Sequence, residues 1–377
     1  MKCETPILFI VFNRPQYTVK SFAAIRKAKP SKLYIAADGP RADKVGEKEL
    51  CEQTRELILN SIDWECEVKI LFQKKNLGCA VGVSTGISWF FKHEEQGIII
   101  EDDVVANQSF FKYCSELLSK YKDNKNIWTI GGHNLQGISA IDKSYTFTKW
   151  FLCWGWATWR DRWKHFHLDV KNMDEKVYDS YTKNKHIRNN WVQAIRSQQN
   201  KLTTWDIPFF TIGLRCNALH VLPQKNMTKN IGSIGAHTIA NNALVNTKTY
   251  KLSILKHPKN KKTNQTLLDE LNIVYMEKCF LYPPKIQSER KIYLWGTGVF
   301  AENALFLIKR KYKITAFLDR QEMSEHLGYK VKRPEQILNG KNKNIFIFIV
   351  STKYAGEMAK ICKSYGLKKG VDFWSPV

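Results

Sequence analysis

The sequence predicts an α/β protein built on a mainly parallel sheet covered by helices, with a second, smaller α/β unit behind it. Three observations carry this. Short, apolar, β-branched runs alternate with helical stretches through the first hundred residues, the pattern of repeated βαβ units. One such run, Ile98-Ile99-Ile100, passes straight into Glu101-Asp102-Asp103 and then Val104-Val105. A strand followed by Gly296-Thr297-Gly298 and a helix returns after a Lys- and Asn-rich break.

Taken in order, Ile7–Phe12 reads as a buried strand and Tyr17–Ala28 as a helix. Lys32–Ala37 is a second strand stopped by Asp38-Gly39-Pro40, Glu47–Ser61 a helix, and Val68–Phe72 a third strand. Ala80–Lys92 is the helix leading into the Ile98–Ile100 strand. Ligands of open α/β sheets sit beyond the carboxyl ends of the strands, where Asn13, Asp38 and the three acids fall. Thr247–Asn264 lacks a sustained apolar period, Leu267–Phe280 reads as a packing helix, and Pro283-Pro284 marks a connector. Strands are then expected at Lys291–Trp295, Ile314–Leu318 and Ile345–Ser351. The division is therefore 1–245, a basic linker and packing helix over 246–288, and a small Rossmann-like domain over 289–377.

The chain of 377 residues is long enough for two or three domains, and its 44% hydrophobic content is ordinary for a globular protein. No apolar run approaches the roughly 18 residues of a membrane span, and the short run at 7–12 suits a strand better than a signal peptide. The nine cysteines show no CxxC pair or metal-ligand spacing, so reduced thiols and a cytoplasmic setting are expected. The net charge of +24 is the unusual bulk property. Its basic residues are dispersed, and no recognition-helix or single-strand-binding motif accompanies them, so no nucleic-acid partner is expected. Peripheral contact with an anionic membrane face and a merely solvated surface both remain open.

Three adjacent carboxylates at the end of a greasy strand are costly to bury unless neutralised. Hard oxygen ligands of this kind suit Mg²⁺ or Mn²⁺, an ion that commonly bridges carboxylates to nucleotide phosphates; capping of the next helix is the plainer alternative. Asn13-Arg14-Pro15 can hydrogen-bond a base or ribose and pair with a diphosphate, or simply form a turn. Asp38-Gly39-Pro40 admits the same two readings. Asn76-Leu77-Gly78, with Ala80 and Gly82, lets backbone approach a phosphate or sugar at a helix N-terminus, or lets that helix pack closely on the sheet.

Trp150, Trp154, Trp156, Trp159 and Trp163 cluster, and 156, 159 and 163 share one face of a helix, so the cluster is either core or a platform for a sugar ring. Trp205-Asp206 sets a carboxylate before an apolar run. Burial of that kind raises a carboxyl pKa and suits a general base; a helix cap is the alternative. In the polar stretch 226–238, His237 can offer a nitrogen to the same metal.

Together these residues resemble the GT-A fold of nucleotide-diphospho-sugar transferases. They are most similar to a bacterial group related to the family 2 glycosyltransferases, with a distant likeness to the N-acetylglucosaminyltransferase I type. The resemblance covers residues 5 to about 240 and rests on ordered motifs: Phe-Asn-Arg-Pro at 12–15, Asp-Gly-Pro-Arg at 38–41, Asn-Leu-Gly-Cys at 76–79 and Ile-Glu-Asp-Asp at 100–103. It continues with Trp-Gly-Trp-Ala-Thr-Trp at 154–159, Trp-Asp at 205–206, Asn-Ile-Gly at 230–232 and Ala-His-Thr at 236–238.

The resemblance implies a nucleotide-binding set of Phe12, Asn13, Arg14, Asp38, Asn76, Gly78 and Asp102. It implies Asp103 as ligand of a Mn²⁺ or Mg²⁺ ion, His237 near the diphosphate or that metal, and Asp206 as catalytic base; Trp154, Trp156 and Trp205 are the candidates for a platform beside acceptor or sugar. Here Trp205 stands where the family usually has an acid before the base. The expected activity is an inverting, metal-dependent transfer of a sugar, from a UDP-sugar by family habit, to a hydroxyl of a glycan or lipid-linked acceptor in bacterial surface polysaccharide synthesis. A nucleotidyltransferase would want a Gly-rich, basic loop after the first strand, which Asn13-Arg14-Pro15-Gln16 is not. A non-catalytic sugar- or membrane-binding scaffold would leave the acids unused.

At the C-terminus, Gly296-x-Gly298-x-x-Ala301 with Asp319 matches a dinucleotide fingerprint. About ninety residues suffice for one mononucleotide-binding half only. A nucleotide-binding and a docking role are both open for this domain.

Overall fold

The computed structural model describes residues 2–232, 246–280, 286–287, 289–339, 344–351 and 354–375. The chain divides into two compact units, residues 1–272 and 273–377. Both are mixed α/β with mainly parallel sheets, as the alternating strand and helix signals require.

In the first unit the elements run β1 (Ile7–Val11), α1 (Pro15–Ala28), β2 (Lys32–Ala37), α2 (Glu47–Asn60), β3 (Glu67–Phe72), α3 (Gly78–His93) and β4 (Gln96–Glu101). These are the elements expected from the sequence, within a few residues at each end. Next come β5 (Val104–Ala106), α4 (Gln108–Tyr121), β6 (Ile127–Gly131), β7 (Tyr145–Thr148), β8 (Trp156–Trp159) and a single turn, α5 (Arg160–Trp163). A 3-10 turn at Glu175–Asp179 precedes α6 (Lys185–Asn200), α7 (Asp206–Arg215), β9 (Leu219–Pro223) and β10 (Thr228–Asn230), and the division at 272/273 falls within α8 (Gln265–Phe280).

The main sheet has the order β3-β2-β1-β4-β8-β6-β9-β7. Its first four strands are parallel, and β8 is inserted antiparallel between β4 and β6. β9 runs parallel to β6, with β7 antiparallel at the far edge. Helices on both faces explain why β1, β2 and β4 are almost wholly apolar. Ile7, Phe9, Val11, Leu33, Ile35, Ile98 and Ile100 form one inner face, packed on Phe22 and Ile25 of α1 and Phe110 and Leu117 of α4. Each such buried side chain contributes about 1.5–3 kcal/mol. The β1–β4 register sets Ile10 opposite Glu101, so the chain leaving β1 emerges beside the acidic turn.

Two expectations are corrected. Trp156 and Trp159 lie on a strand, not on one face of a helix. Three residues apart on a strand, they point to opposite faces: Trp159 joins the core under α4, whereas Trp156 packs on Trp163, Trp205 and Phe209. The helical spacing in the sequence coincided with a strand because both neighbours, β4 and β6, offered free backbone groups to pair.

The Lys- and Asn-rich residues 246–264, expected as a linker, run along the first unit. Tyr250 N–H donates to the Asn226 carbonyl at 2.8 Å, Leu252 N–H to Ser109 Oγ at 3.1 Å, and Ser144 N–H to the Lys256 carbonyl at 3.0 Å.

The second unit holds β11 (Lys291–Trp295), α9 (Val299–Ile308), β12 (Ile314–Leu318), β13 (Glu325–His326), β14 (Tyr329–Lys332), α10 (Pro334–Leu338), β15 (Ile345–Ile349), α11 (Ala355–Ser364) and β16 (Phe373–Trp374). Its sheet order is β13-β14-β12-β11-β15-β16. Thr297 Oγ1 donates to Asp319 Oδ2 at 2.8 Å, so the glycine loop and the strand-end acid of the fingerprint meet. No described helix of the chain is long and apolar enough to cross a membrane, and the described cysteines form no disulfide.

Candidate active site at the carboxyl end of the sheet

Only three residues, Phe12, Asn13 and Arg14, separate β1 from α1, and Pro15 opens that helix. This short connection aims Arg14 at the turn after β4. Its guanidinium grips Asp102 through Nη2 and through Nε at 3.2 Å, and reaches Asp103 Oδ2 from Nη1 at 3.1 Å. The Asp102 side chain is 4% exposed and that of Arg14 23%. The turn is fixed from below by Ser21 Oγ, which donates to the Asp102 carbonyl at 2.7 Å.

From the other side β10 pairs antiparallel with β5, setting Asn230 opposite Val104. Asn230 Nδ2 then donates to Asp103 Oδ1 at 3.3 Å, and Ile231 N–H to the Asp103 carbonyl at 2.8 Å. Gly232 follows so closely that a Cβ there would lie 2.5 Å from Asp103 Oδ2. The Asn-Ile-Gly motif and the acidic turn are therefore one local structure. His237 lies outside the described residues.

Glu101 makes no side-chain hydrogen bond among the described residues. Burial pushes its pKa well above the usual carboxylate range, the negative charges of Asp103, Asp102 and Asp206 add to this, and Arg14 opposes it. Burial likewise lifts Asp102 to about 6 against the pull of Arg14. Three carboxylates thus act on the Arg14 guanidinium, and the fold brings Asp206 into the electrostatic reach of Glu101.

Asp206 starts α7. Its Oδ1 accepts from Thr204 Oγ1, and Cys153 Sγ lies 3.9 Å from its Oδ2. The loop before it is clamped by buried Gln198, whose Oε1 accepts from Thr203 N–H at 2.8 Å and Thr204 N–H at 3.1 Å. Burial, with the charges of Glu101 and Asp206, pushes the Cys79 thiol up to about 12 and raises Cys153 well above its ordinary value.

The remaining candidates separate into two groups. Asn13 belongs to an edge network: its Nδ2 donates to Glu47 Oε1 at 2.9 Å, while Arg41 ion-pairs with Glu47 and lies over the Phe12 ring, 5.7 Å from its centre. Arg41 holds Glu47 below the usual carboxylate range. Asp38, by contrast, spends its carboxylate on its own surroundings. Oδ1 accepts from Gly39 N–H at 2.8 Å and Leu77 N–H at 2.9 Å, and Oδ2 from Asn76 Nδ2 and Gly78 N–H, each at 3.0 Å. A carboxylate has about four lone-pair sites, so these four bonds occupy Asp38, which with Asn76 and Gly78 forms the start of α3. A Cβ on Gly82 would meet Asp38 Oδ2 at 3.0 Å, so that glycine serves the same close packing.

The aromatic platform is also corrected. Trp156 and Trp205 are 0% and 2% exposed and stack on each other at 5.6 Å, inside a cluster with Phe151 and Phe209. Neither offers a ring face to a sugar. Trp154 is partly exposed beside the acidic turn, its carbonyl accepting from Thr228 Oγ1 at 2.6 Å. Sequence reasoning missed Thr204, Gln198 and Cys153, for which no local pattern exists, and gave no role to Cys79, although it closes the Asn-Leu-Gly-Cys motif. It also missed Arg41 and Glu47, for which the Asp-Gly-Pro-Arg motif and an acid in a first helical turn were available signals.

A divalent cation fits the donor set, which is hard, oxygen-rich and in excess negative charge. No group of three His, Cys, Asp or Glu stands ready to hold a metal among the described residues.

No protein-family model matches the chain, and no curated protein matches its sequence. Among solved structures, it is similar over 61% of its length to a UDP-glucose pyrophosphorylase complexed with UDP-glucose, covering 94% of that chain at 13% identity and a TM-score of 0.31. Mouse xyloside xylosyltransferase 1, in its apo form, is matched over 57% of this chain and 83% of that one, at 11% identity and a TM-score of 0.30. A 4-diphosphocytidyl-2C-methyl-D-erythritol synthase from Anaerococcus prevotii is matched over 42% and 72%, at 8% identity and a TM-score of 0.25.

Proposed function

We propose that the first unit is a metal-dependent glycosyltransferase that moves a sugar from a nucleotide diphosphate to an acceptor hydroxyl, with inversion. The observation that carries this is the gathering of Glu101, Asp102 and Asp103 beside Arg14 beyond the carboxyl end of β4, with Asp206 near enough for its charge to act on Glu101. The ordered motifs of the GT-A resemblance support it. The matched structures named above include nucleotide-sugar enzymes of both the glycosyl- and nucleotidyl-transferring kinds, and they do not choose between them. The three-residue link from β1 to α1 favours glycosyl transfer, since it leaves no Gly-rich basic loop to wrap a triphosphate.

In this reading Asp103 and Glu101, with His237, would hold Mn²⁺ or Mg²⁺, which when bound neutralises the departing diphosphate. Asn13 and Phe12 would border the nucleoside, and Arg14 would hold the acidic turn in place. Asp206 would take the proton of the acceptor hydroxyl as its oxygen bonds the anomeric carbon and the bond from that carbon to the phosphate oxygen breaks. A single displacement of this kind inverts the configuration. The hydroxyl of Thr204 and the thiol of Cys153 orient the carboxylate.

The test is release of nucleotide from UDP-, GDP- and dTDP-sugars by wild type, Asp103→Ala and Asp206→Asn, with Mn²⁺ or EDTA. A parallel arm offers UTP with sugar 1-phosphates. Release from one donor, abolished by EDTA and by Asp103→Ala, is expected. Pyrophosphate release in the second arm alone would assign nucleotidyl transfer instead. The absence of both, together with no Mn²⁺-dependent UDP binding by calorimetry, would overturn the enzyme reading in favour of a scaffold.

A further inference from the structure

At the edge of the main sheet opposite the carboxylates lies a second charged feature that the transferase reading does not use. β6 runs from Ile127 at this edge to Gly131, paired with Trp156 near the acidic end of β4, so about 15 Å of strand separates the two ends. Here the end of α4, the loop 122–126 and residues 258–261 line a shallow depression of about 800 Å³ that is widely open to solvent. Lys120, Lys125, Lys259 and Lys261 line it, against one acid, Asp123.

The lysines are assembled by the extended segment 250–261, which follows α4 along its length. Leu252 is tied to Ser109 near the start of that helix. His257 lies 2.8 Å from the Tyr145 hydroxyl and 3.3 Å from Glu116, and Lys261 reaches to 6.0 Å from the centre of the Tyr121 ring. The floor is rigid. Arg162, 2% exposed, donates to the carbonyls of Tyr121, Lys122 and Asn124 and locks the loop. Lys125 pairs with Asp161 at 2.6 Å, whereas Lys120, Lys259 and Lys261 have no acidic partner among the described residues. Lysines that line one depression with a single acid among them repel one another, so an anion that enters it is favoured. The same segment exposes Lys256, with Lys262 exposed just beyond it, and it carries Ile254 at 75% exposure.

We propose that this face docks the protein on an anionic membrane leaflet, the lysine-lined depression receiving lipid phosphate groups and Ile254 entering the interface. A strip of lysines alone would suit any polyanion. An unpaired, exposed isoleucine within the lysine-bearing segment suits a bilayer boundary, where apolar and cationic groups are both satisfied. The inference stands independently of the transferase reading.

The experiment is co-sedimentation of the full chain with phosphatidylcholine vesicles, with and without phosphatidylglycerol. One variant carries Lys120, Lys125, Lys259 and Lys261 all changed to Gln. A control changes the exposed Lys20, Lys27, Lys48 and Lys74 to Gln, removing the same charge elsewhere. A lysine at an anionic surface is worth roughly five-fold in binding, so losing the three unpaired ones lowers partitioning about 100-fold. The control falls much less, and Ile254→Asp weakens binding without removing its salt dependence. Thermal melts report whether each variant is folded, and Ile254→Asp leaves a readout should the lysine variant misfold. Equal loss in the control, no preference for anionic vesicles, or retention on heparin without vesicle binding would each overturn the proposal.

Discussion

Replacing Arg14 by methionine removes the one cation that, among the described residues, ion-pairs with the acidic turn, and leaves most of the side-chain volume. Asp102, with its side chain 4% exposed, then keeps a hydrogen bond from the Phe12 backbone and loses its charged partner. Breaking a buried ion pair from one side costs about 3–5 kcal/mol. Because Arg14 is itself 23% exposed, the lower end, about 3 kcal/mol, is expected at neutral pH.

The sign of the pH dependence follows from the carboxyl. Burial already raises Asp102 to about 6 in the wild type, above its ordinary value of 3.8, and the variant raises it further. A folded state with the higher pKa binds the extra proton, so the penalty is largest above pH 7 and shrinks as the pH falls toward 5. Urea unfolding followed by tryptophan fluorescence reads this directly, since ten of the twelve tryptophans lie in residues 1–272. With a slope of about 2–3 kcal/mol per molar urea for a unit of this size, the midpoint should drop by about 1 M at pH 7.5. Adding Asp102→Asn to Arg14→Met should restore most of the loss. An unchanged midpoint at pH 7.5, or a loss that is the same at pH 5, would refute the reasoning.

Three further outcomes are expected. Asp38→Ala should cost about 2 kcal/mol and expose residues 76–78 to proteolysis, because it strips the start of α3 of its acceptor; an Asp38 free to serve a nucleoside would leave stability unchanged. Trp205→Ala should destabilise by about 3–5 kcal/mol, as its ring is 2% exposed and stacked on Trp156; an open sugar platform would lose ligand binding alone. Burial pushes the imidazole of His220 down to about 3, where Thr129 shares its Nδ1 at 2.8 Å. The unfolded chain takes up that proton near pH 6.5, so stability falls as pH drops below 6.5, by about 2 kcal/mol at pH 5. Urea midpoints at pH 7 and pH 5 should show this part of the loss in the wild type and its absence in His220→Gln.

The strands and helices of residues 7–101 were legible because they are local. A run such as Ile98-Ile99-Ile100 satisfies a buried strand whatever it pairs with, and acids at its end call for a counter-charge under any topology. Residues 104–230 were harder to read. β8 carries tryptophans at a spacing that a helix and a strand use equally well, and only insertion between β4 and β6 made it a strand.

The polar residues divide in the same way. By itself the sequence determined that Arg14, Asp38 and the acidic triplet stand at strand ends on one side of a parallel sheet, because strand breaks and polar turn residues are properties of a few neighbours. Which of them is consumed was decided by tertiary structure. Asp38 is saturated by amides thirty-eight to forty residues away. Asp102 is matched by an arginine eighty-eight residues earlier, and Asp206 joins Glu101 through a loop held by Gln198. The lysines of 120–125 and 259–261 meet only because an extended segment lies along α4. A buried or crowded charge takes its chemistry from whatever the fold brings within a few ångströms, and no spacing along the chain encodes that distance.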